Sequence, residues 1–410
     1  MTDAPGKQPV KRPVKSTGKS AGVFLQPITK YGDVTDQDRS YWAVMIDDIN
    51  KALMNVGLDC QRIKGFDETD VAKLNALHSS GNDPDFILTF NMLPDLSFQK
   101  QYYVDAVQSK VICLFMDNPI WHMQIFSAFT RWRDFYFGIM DAAHGAFLKT
   151  VGVDENKIFL FPQAGPEIQA DPIPFTDRET DVMFMGGIGK PTTDKEFLAG
   201  FANTNDAIQR ALLMAHDQVL EQSGEALAAF QSSLMAAGED RAIHIEILAR
   251  AASDIDRRAR TIRRYRLFET LKNIPVTFYG AYDDAFKKSQ PLATFKDGVT
   301  FKDIEAAMGN TKIVINDNIN MQGAALMRFF YGISRGALMA TELNDYLKTG
   351  FKAGEHVIEL GINSADNANR IQNALASPGA AQTMIDRSSA VYKDHHLWGH
   401  RLPSLLPLLQ

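Results

Sequence analysis

The stretch K-I-V-I-N-D-N-I-N-M-Q-G-A-A-L-M-R-F-F-Y-G-I-S-R-G-A-L-M-A-T-E, Lys312 to Glu342, decides the fold. Ile313, Val314 and Ile315 form a short β-branched apolar run, the signature of a buried strand. Asn316 to Gly323 is polar and ends in glycine, so the chain breaks there into a loop. Leu326, Phe329, Phe330 and Ile333 then recur at helical spacing across Ala324 to Arg335, with Gly336 where a helix C-cap stands. Ala337 to Ala340 is a second strand. Strand, loop, helix, strand is a βαβ unit, whose first loop meets a helix N-terminus at the strand's carboxyl end. Unpaired N–H groups and a partial positive charge there suit a phosphate. An ordinary βαβ unit without a ligand has the same pattern.

Upstream of this unit, T-D-V-M-F-M-G-G-I-G-K places a strand over Asp181 to Met185, followed by Gly186, Gly187, Gly189 and Lys190. Such a turn lets a ligand approach the backbone. It lacks the full G-x-G-x-x-G pattern and runs into Pro191, which argues against a nicotinamide dinucleotide. Residues 196–272 read as nearly continuous helix, far more than a crossover needs, so they form an inserted helical hairpin or small lobe. On its last helix Arg257, Arg260 and Arg264 fall together, with Arg263 close by, as either a solvated face or a diphosphate clamp. Val276 to Gly280 is the next strand, ending in a glycine.

The first part of the chain alternates in the same way. Strands are expected over Gly22–Ile28, Leu58–Ile63, Asp85–Phe90, Lys110–Met116, Asp134–Met140 and Lys157–Phe161. Helices fall between them, the clearest from Tyr41 to Val56 with Trp42, Met45, Ile46, Ile49 and Leu53 on one face. Phe98 to Gln108 is expected to be helical. The pattern predicts parallel sheets covered on both faces. Functional groups collect outside strand carboxyl ends, which picks out Asp117 after the apolar K-V-I-C-L-F-M run, with His122 one turn on and Asp141 one strand along. Asp117 and Asn118 before Pro119 also suit a plain turn. Pro162, Pro166, Pro172 and Pro174 stiffen a connection between two domains.

Composition sets limits. At 410 residues the chain has room for two or three domains, and 45% hydrophobic with 22% charged residues is ordinary for a globular protein. A net charge of −6 excludes a general nucleic-acid binder, which needs a basic face. Cys60 and Cys113 are expected as buried free thiols in a reducing cytosol. No apolar run reaches the ~18 residues of a membrane span. Residues 1–21, basic and rich in Pro, Gly and Ser, are expected to be a disordered tail.

I-N-D-N-I-N-M-Q-G-A-A-L-M-R-F-F-Y-G-I-S-R-G-A-L-M-A followed by F-K-A-G-E-H-V-I-E-L resembles the donor-binding half of GT-B glycosyltransferases, and most nearly the spore-maturation (CgeB-type) glycosyltransferase-like family. That family has a strand ending in Asn, then R-x-F-E-x-x-x-x-G-A, then a G-x-E turn; this chain supplies Asn316, Arg328, Phe330, Gly336, Ala337, Gly354 and Glu355. Tyr331 stands where the family's ribose-holding Glu would be. The resemblance implies an α/β protein of two Rossmann-like domains facing across a cleft. They would span 22–165 and 175–385, the second with the 196–272 insertion, and 386–410 would cross back to the first. It implies metal-independent transfer, without a cofactor, from a nucleotide-diphosphate sugar to a glycan, protein or small-molecule acceptor. Donor contacts would come from Gly186, Gly187, Lys190, Arg263 or Arg264, Gly280, Asn316, Asn318, Gly323, Arg328, Tyr331 and Glu355. Asp117, His122 or Asp141 would act as base, with Asp117 first or else holding the acceptor hydroxyl. His395, His396 and His400 lack the partners of a metal site. A sugar-nucleotide epimerase and a non-catalytic scaffold derived from a transferase are the alternatives.

Overall fold

The computed structural model describes residues 22–27, 37–64, 67–81, 83–91, 97–98, 101–123, 129, 131–222, 224–239, 243–318 and 320–409. The basic segment 1–21 lies outside them. Two six-stranded sheets form, and every neighbouring pair within them is parallel. The first holds β1 (Gly22–Gln26), β2 (Cys60–Lys64), β3 (Phe86–Phe90), β4 (Lys110–Leu114), β5 (Tyr136–Ile139) and β6 (Ile158–Leu160), in the order β2-β1-β3-β4-β5-β6. The second holds β7 (Thr180–Met185), β8 (Val276–Tyr279), β9 (Thr294–Lys296), β10 (Thr311–Asn316), β11 (Leu338–Thr341) and β12 (Ile358–Glu359), in the order β9-β8-β7-β10-β11-β12. The strand order of the second sheet reverses between β7 and β10, and a ligand crevice opens at such a switch point.

Burial explains why these segments became strands. Val111 to Leu114 of β4 and Ile313 to Asn316 of β10 are buried throughout, as strands covered on both faces must be. Helix α1 (Tyr41–Met54) starts on Ser40, whose hydroxyl accepts the Ala43 N–H, and buries the predicted Trp42, Met45, Ile46, Ile49 and Leu53. The expected helix over Phe98–Gln108 shrinks to Tyr103–Ala106, because 97–98 and 101–102 pair as a short antiparallel ladder instead. Cys60 and Cys113 are free and buried.

The insertion is a helical lobe in which α2 (Asp206–Gln222), α3 (Ala226–Ala236) and α4 (Ile245–Glu269) pack together. Its last helix is long enough to run from the first domain to the second.

Helix α5 (Met327–Ser334) follows the opening loop and is buried on all sides. Gly336, at φ +74°, ends it in the left-handed conformation expected of a C-cap glycine. All-round burial arises because α5 lies between its own sheet and the first domain. Phe24, Trp42 and Met45 join Phe301, Met308, Phe329 and Phe330 in one continuous core. After α6 (Pro378–His395), the chain returns to the first sheet. Gly165 N–H donates to His396 O, Trp398 stacks on Phe161, and Lys110 Nζ reaches Leu408 O in α7 (Leu402–Leu409). Among the described residues, no helix is long and apolar enough to cross a membrane.

Candidate functional site

At the switch point of the second sheet, glycines and arginines converge. Gly186 ends β7 and Gly280 ends β8, both with positive φ (+153° and +132°). A Cβ on Gly280 would stand 2.7 Å from Gly186 O, so the two turns meet as only bare backbone can. Asp317, the residue after β10, lies beneath them and is 2% exposed. Arg264 of α4 holds it through Nε (2.5 Å), and Arg328 of α5 through Nη1 (2.5 Å). Arg264 Nη1 also donates to Gly187 O at 2.6 Å, and the Arg328 guanidinium lies 4.4 Å over the Phe184 ring. Burial alone would raise the Asp317 carboxyl; the two guanidiniums overrule it and hold it well below the usual carboxylate range. Two cations against one anion leave the cradle positive, and the buried Arg328 Nε has no hydrogen-bond partner among the described residues. Beside it, Leu267, Asp317, Glu342, Leu360 and Ile362 line a small recess.

The first domain offers its own strand ends. Asn91, after β3 and at φ +51°, accepts the Met116 N–H at 2.7 Å and donates to Asp117 Oδ2 at 2.8 Å. This amide braces the loop after β4 and leaves Asp117 half-buried. Asp141, after β5, is 4% exposed. Its Oδ1 accepts the Ala143 N–H at 3.0 Å, and its Oδ2 the Gly323 N–H at 2.7 Å across the domain boundary. Gln163 makes a second bridge: Nε2 donates to Met116 O, and Oε1 accepts the Met327 N–H. Sequence reasoning missed Gln163; its one signal is a lone amide between prolines, just after a strand.

A third group of polar side chains joins the lobe to both domains. His144, on the turn that Asp141 caps, has Nε2 3.4 Å from Glu225 Oε1 at the start of α3. Asn118 Nδ2 donates to the other Glu225 oxygen at 3.2 Å. Asn320 donates to the Asp256 carboxylate of α4 at 2.9 Å, and Arg257 and Arg260 lie over the Trp121 ring. Burial drives the Asp256 carboxyl up, against the pull of Arg260 and Asn320.

The expected donor residues fare unequally. Gly186, Gly187, Gly280, Arg264 and Arg328 come together in the cradle, and Gly323 lies at the domain boundary. Lys190 is exposed and pairs with Glu196 at 3.5 Å. Tyr331 is a correction: it is wholly buried, and its hydroxyl donates to Asp48 of α1 at 2.5 Å. Tyr331 therefore faces the first domain's helix, not an open cleft, because α1 packs over this side of α5. Arg263 is a second correction, since it lies 2% exposed with its guanidinium on Leu220 O and Glu342. Asn316 and Asn318 are buried and bond to each other and to Thr341 Oγ1, tying β10 to β11. Glu355 precedes β12, at the strands' amino edge, opposite the cradle, and pairs with Lys352. The α5 N-terminus is not open to a phosphate either, because Gln163 takes the Met327 N–H. His122 is half-buried against Phe115, with its pKa lowered chiefly by burial. His396 stacks on Phe330 and Phe351, and burial with Arg401 pushes it down to about 3.

Two facing parallel sheets with strand ends turned to a shared boundary define the GT-B glycosyltransferase architecture. Residues 257–407 match the family described as glycosyl transferase-like, a span that includes Arg264, Asp317, Gly323 and Arg328. No curated protein matches the chain. An α-glucosyltransferase solved with UDP and a 13-mer DNA containing an HMU base superposes with a TM-score of 0.57 at 8% identity, over 96% of this chain and 100% of that one. Sucrose-phosphate synthase from Thermosynechococcus elongatus gives 0.51 at 9% identity, over 95% and 98%. At such identities these structures speak for the fold. Fold and family match together support a transferase.

Proposed function

We propose that the protein transfers a sugar from a nucleotide-diphosphate sugar, as the resemblance to spore-maturation-type glycosyltransferase-like proteins implies. The observation that carries this reading is the Arg264–Asp317–Arg328 cradle under the Gly186, Gly187 and Gly280 turns at the second sheet's switch point. A diphosphate there meets bare backbone and net positive charge, and the guanidiniums stabilise the charge that grows on the leaving nucleotide. Asp317 keeps both arginines aimed while the site is empty. On the opposite side, Asp117 holds the acceptor hydroxyl: Asn91 engages one carboxylate oxygen, and the other makes no hydrogen bond among the described residues. The chemistry assigned here needs neither a metal nor a cofactor.

A second reading has one observation in its favour. Tyr331 is sealed on Asp48 and the Met327 N–H is taken by Gln163, so protein groups fill two places where a donor nucleotide would be gripped. A scaffold that no longer turns over has these features.

A thermal-shift panel of nucleotide sugars and free nucleoside diphosphates, followed by transfer assays on the hits, separates the two. A ligand at 100 times its Kd stabilises by about 2.7 kcal/mol. At least one nucleotide sugar is expected to raise Tm and to lose its sugar to an acceptor. A panel with no shift removes the donor-site reading, and a shift without turnover selects the scaffold.

A further inference from the structure

We propose that Arg257 and Arg260 of α4 hold an anionic group on the acceptor, which is a small carbohydrate bearing a phosphate or a carboxylate; this rests on the glycosyl-transfer reading above. Both guanidiniums lie over one Trp121 ring, Arg260 at 4.4 Å and Arg257 at 5.7 Å from its centroid. Trp121 belongs to the turn that follows Asp117, the residue assigned to the acceptor hydroxyl. Arg264, one turn further along α4, grips the donor cradle. Residues 257, 260 and 264 share one helix face, and their row spans about 10 Å along the axis. The row therefore runs from the donor side of the boundary to the acceptor side.

Two cations over one ring repel each other unless an anion stands by them, and the nearby carboxylates are engaged elsewhere. Asp317 is held by Arg264 and Arg328, Asp117 by Asn91, and Asp254 lies 3.8 Å from Arg250. Asp256 accepts from Asn320 and stands 3.7 Å from Arg260, too far for a hydrogen bond. Burial drives that carboxyl towards the neutral acid, which weakens the pairing further. Arg257 makes no ion pair among the described residues.

The row is also within reach of solvent. Arg257 is exposed, Trp121 and Asp117 are half-buried, and Arg260 keeps 21% of its side chain exposed. Asp117 and Arg257 both act electrostatically on the His122 imidazole, so the hydroxyl and anion sites flank a single side chain. Guanidinium forks hold phosphate or carboxylate through paired N–H donors, and stacking on an aromatic ring aims them. At a net charge of −6 the protein as a whole repels an anion, so recruiting one takes a local basic row.

The test follows nucleoside diphosphate release with the donor that the thermal-shift panel identifies. The acceptor probes are glucose, glucose 6-phosphate and glucuronate. Wild type is expected to favour a charged probe over glucose by at least about tenfold in kcat/KM, and the preference should shrink as KCl is raised. Arg257→Gln is expected to cut that preference by about tenfold, chiefly through KM, with the donor thermal shift intact. Arg257→Lys should recover part of it, because the charge returns. If the arginines only dock the lobe on Trp121, Arg257→Gln lowers all probes equally, and that result overturns the proposal. Glucose favoured by wild type, a preference that ignores KCl, or no transfer to either charged probe also overturns it while leaving the transferase reading in place. A panel without a donor shift removes that reading, and this inference with it. Should Arg257→Gln fail to fold, Arg257→Lys and the KCl dependence decide.

Discussion

The backbone N–H of Gly323 donates to the Asp141 carboxylate across the domain boundary at 2.7 Å, and a Cβ at Gly323 would fall 2.5 Å from Asp141 Oδ1. The loop can sit this close only because position 323 has no side chain. Gly323→Ala should part the two loops and break a charge-assisted hydrogen bond, at a cost of roughly 1–3 kcal/mol. Differential scanning calorimetry should show a lower Tm, and an unchanged melt would mean the loops separate freely.

Asp317 holds two buried guanidiniums, so its loss is costly. Asp317→Asn leaves both cations without a counter-charge and should destabilise by about 3–5 kcal/mol. Its carboxyl is depressed, so its stabilisation is present above the unfolded carboxylate range and lost as pH falls through the folded value. The gap in denaturant midpoint between wild type and variant should therefore narrow on acidification. A gap independent of pH would refute the charge argument.

Asp48 should behave in the opposite sense. Burial raises its carboxyl despite the Tyr331 hydroxyl and Lys51, so the folded state favours the protonated acid. Stability tied to that proton is full below the unfolded carboxylate range and falls as pH rises through the folded value. Asp48→Asn keeps an acceptor for Tyr331 and removes the buried charge. Its Tm should exceed wild type at pH 8 and converge with it towards pH 4. A variant less stable than wild type at pH 8 would show that ionised Asp48 is well paired.

Asp117→Asn tests the acceptor side. If the carboxylate holds the acceptor hydroxyl, kcat/KM should fall at least about tenfold, while Tm and the donor thermal shift stay within error. Normal turnover, or simple unfolding, would return Asp117 to the role of turn former.

Much of this architecture was legible because buried parallel strands read as apolar runs. Ten of the twelve sheet strands, all but β9 and β12, lie in or beside a segment that the pattern marked, and Gly336 ends α5 as its position suggested. Tyr331 and Gln163 were not legible, because both act through partners far away in sequence. The first meets Asp48, and the second Met327. Local spacing reports which face of a helix is apolar; it does not report what covers that face. Arg263 and Arg264 make the same point, since adjacent residues on one helix diverge by about 100°. One of them reaches Glu342 and the other Asp317. The contact between His144 and Glu225 hid for a similar reason, since Glu225 arrives on an insertion whose docking site no periodicity encodes.

Helix α4 acts as a ruler. Asp256 near its middle takes the Asn320 amide, and Arg264 further along engages Asp317 and Gly187. At 1.5 Å per residue these two grips are about 12 Å apart along the axis. That spacing is set by covalent geometry, not by side-chain packing. One residue inserted between them would turn Arg264 by about 100° and carry it past the glycine turns, while every contact at the Asp256 end stayed in place. Sequence drift along this helix is thus free to change residues and not to change their number.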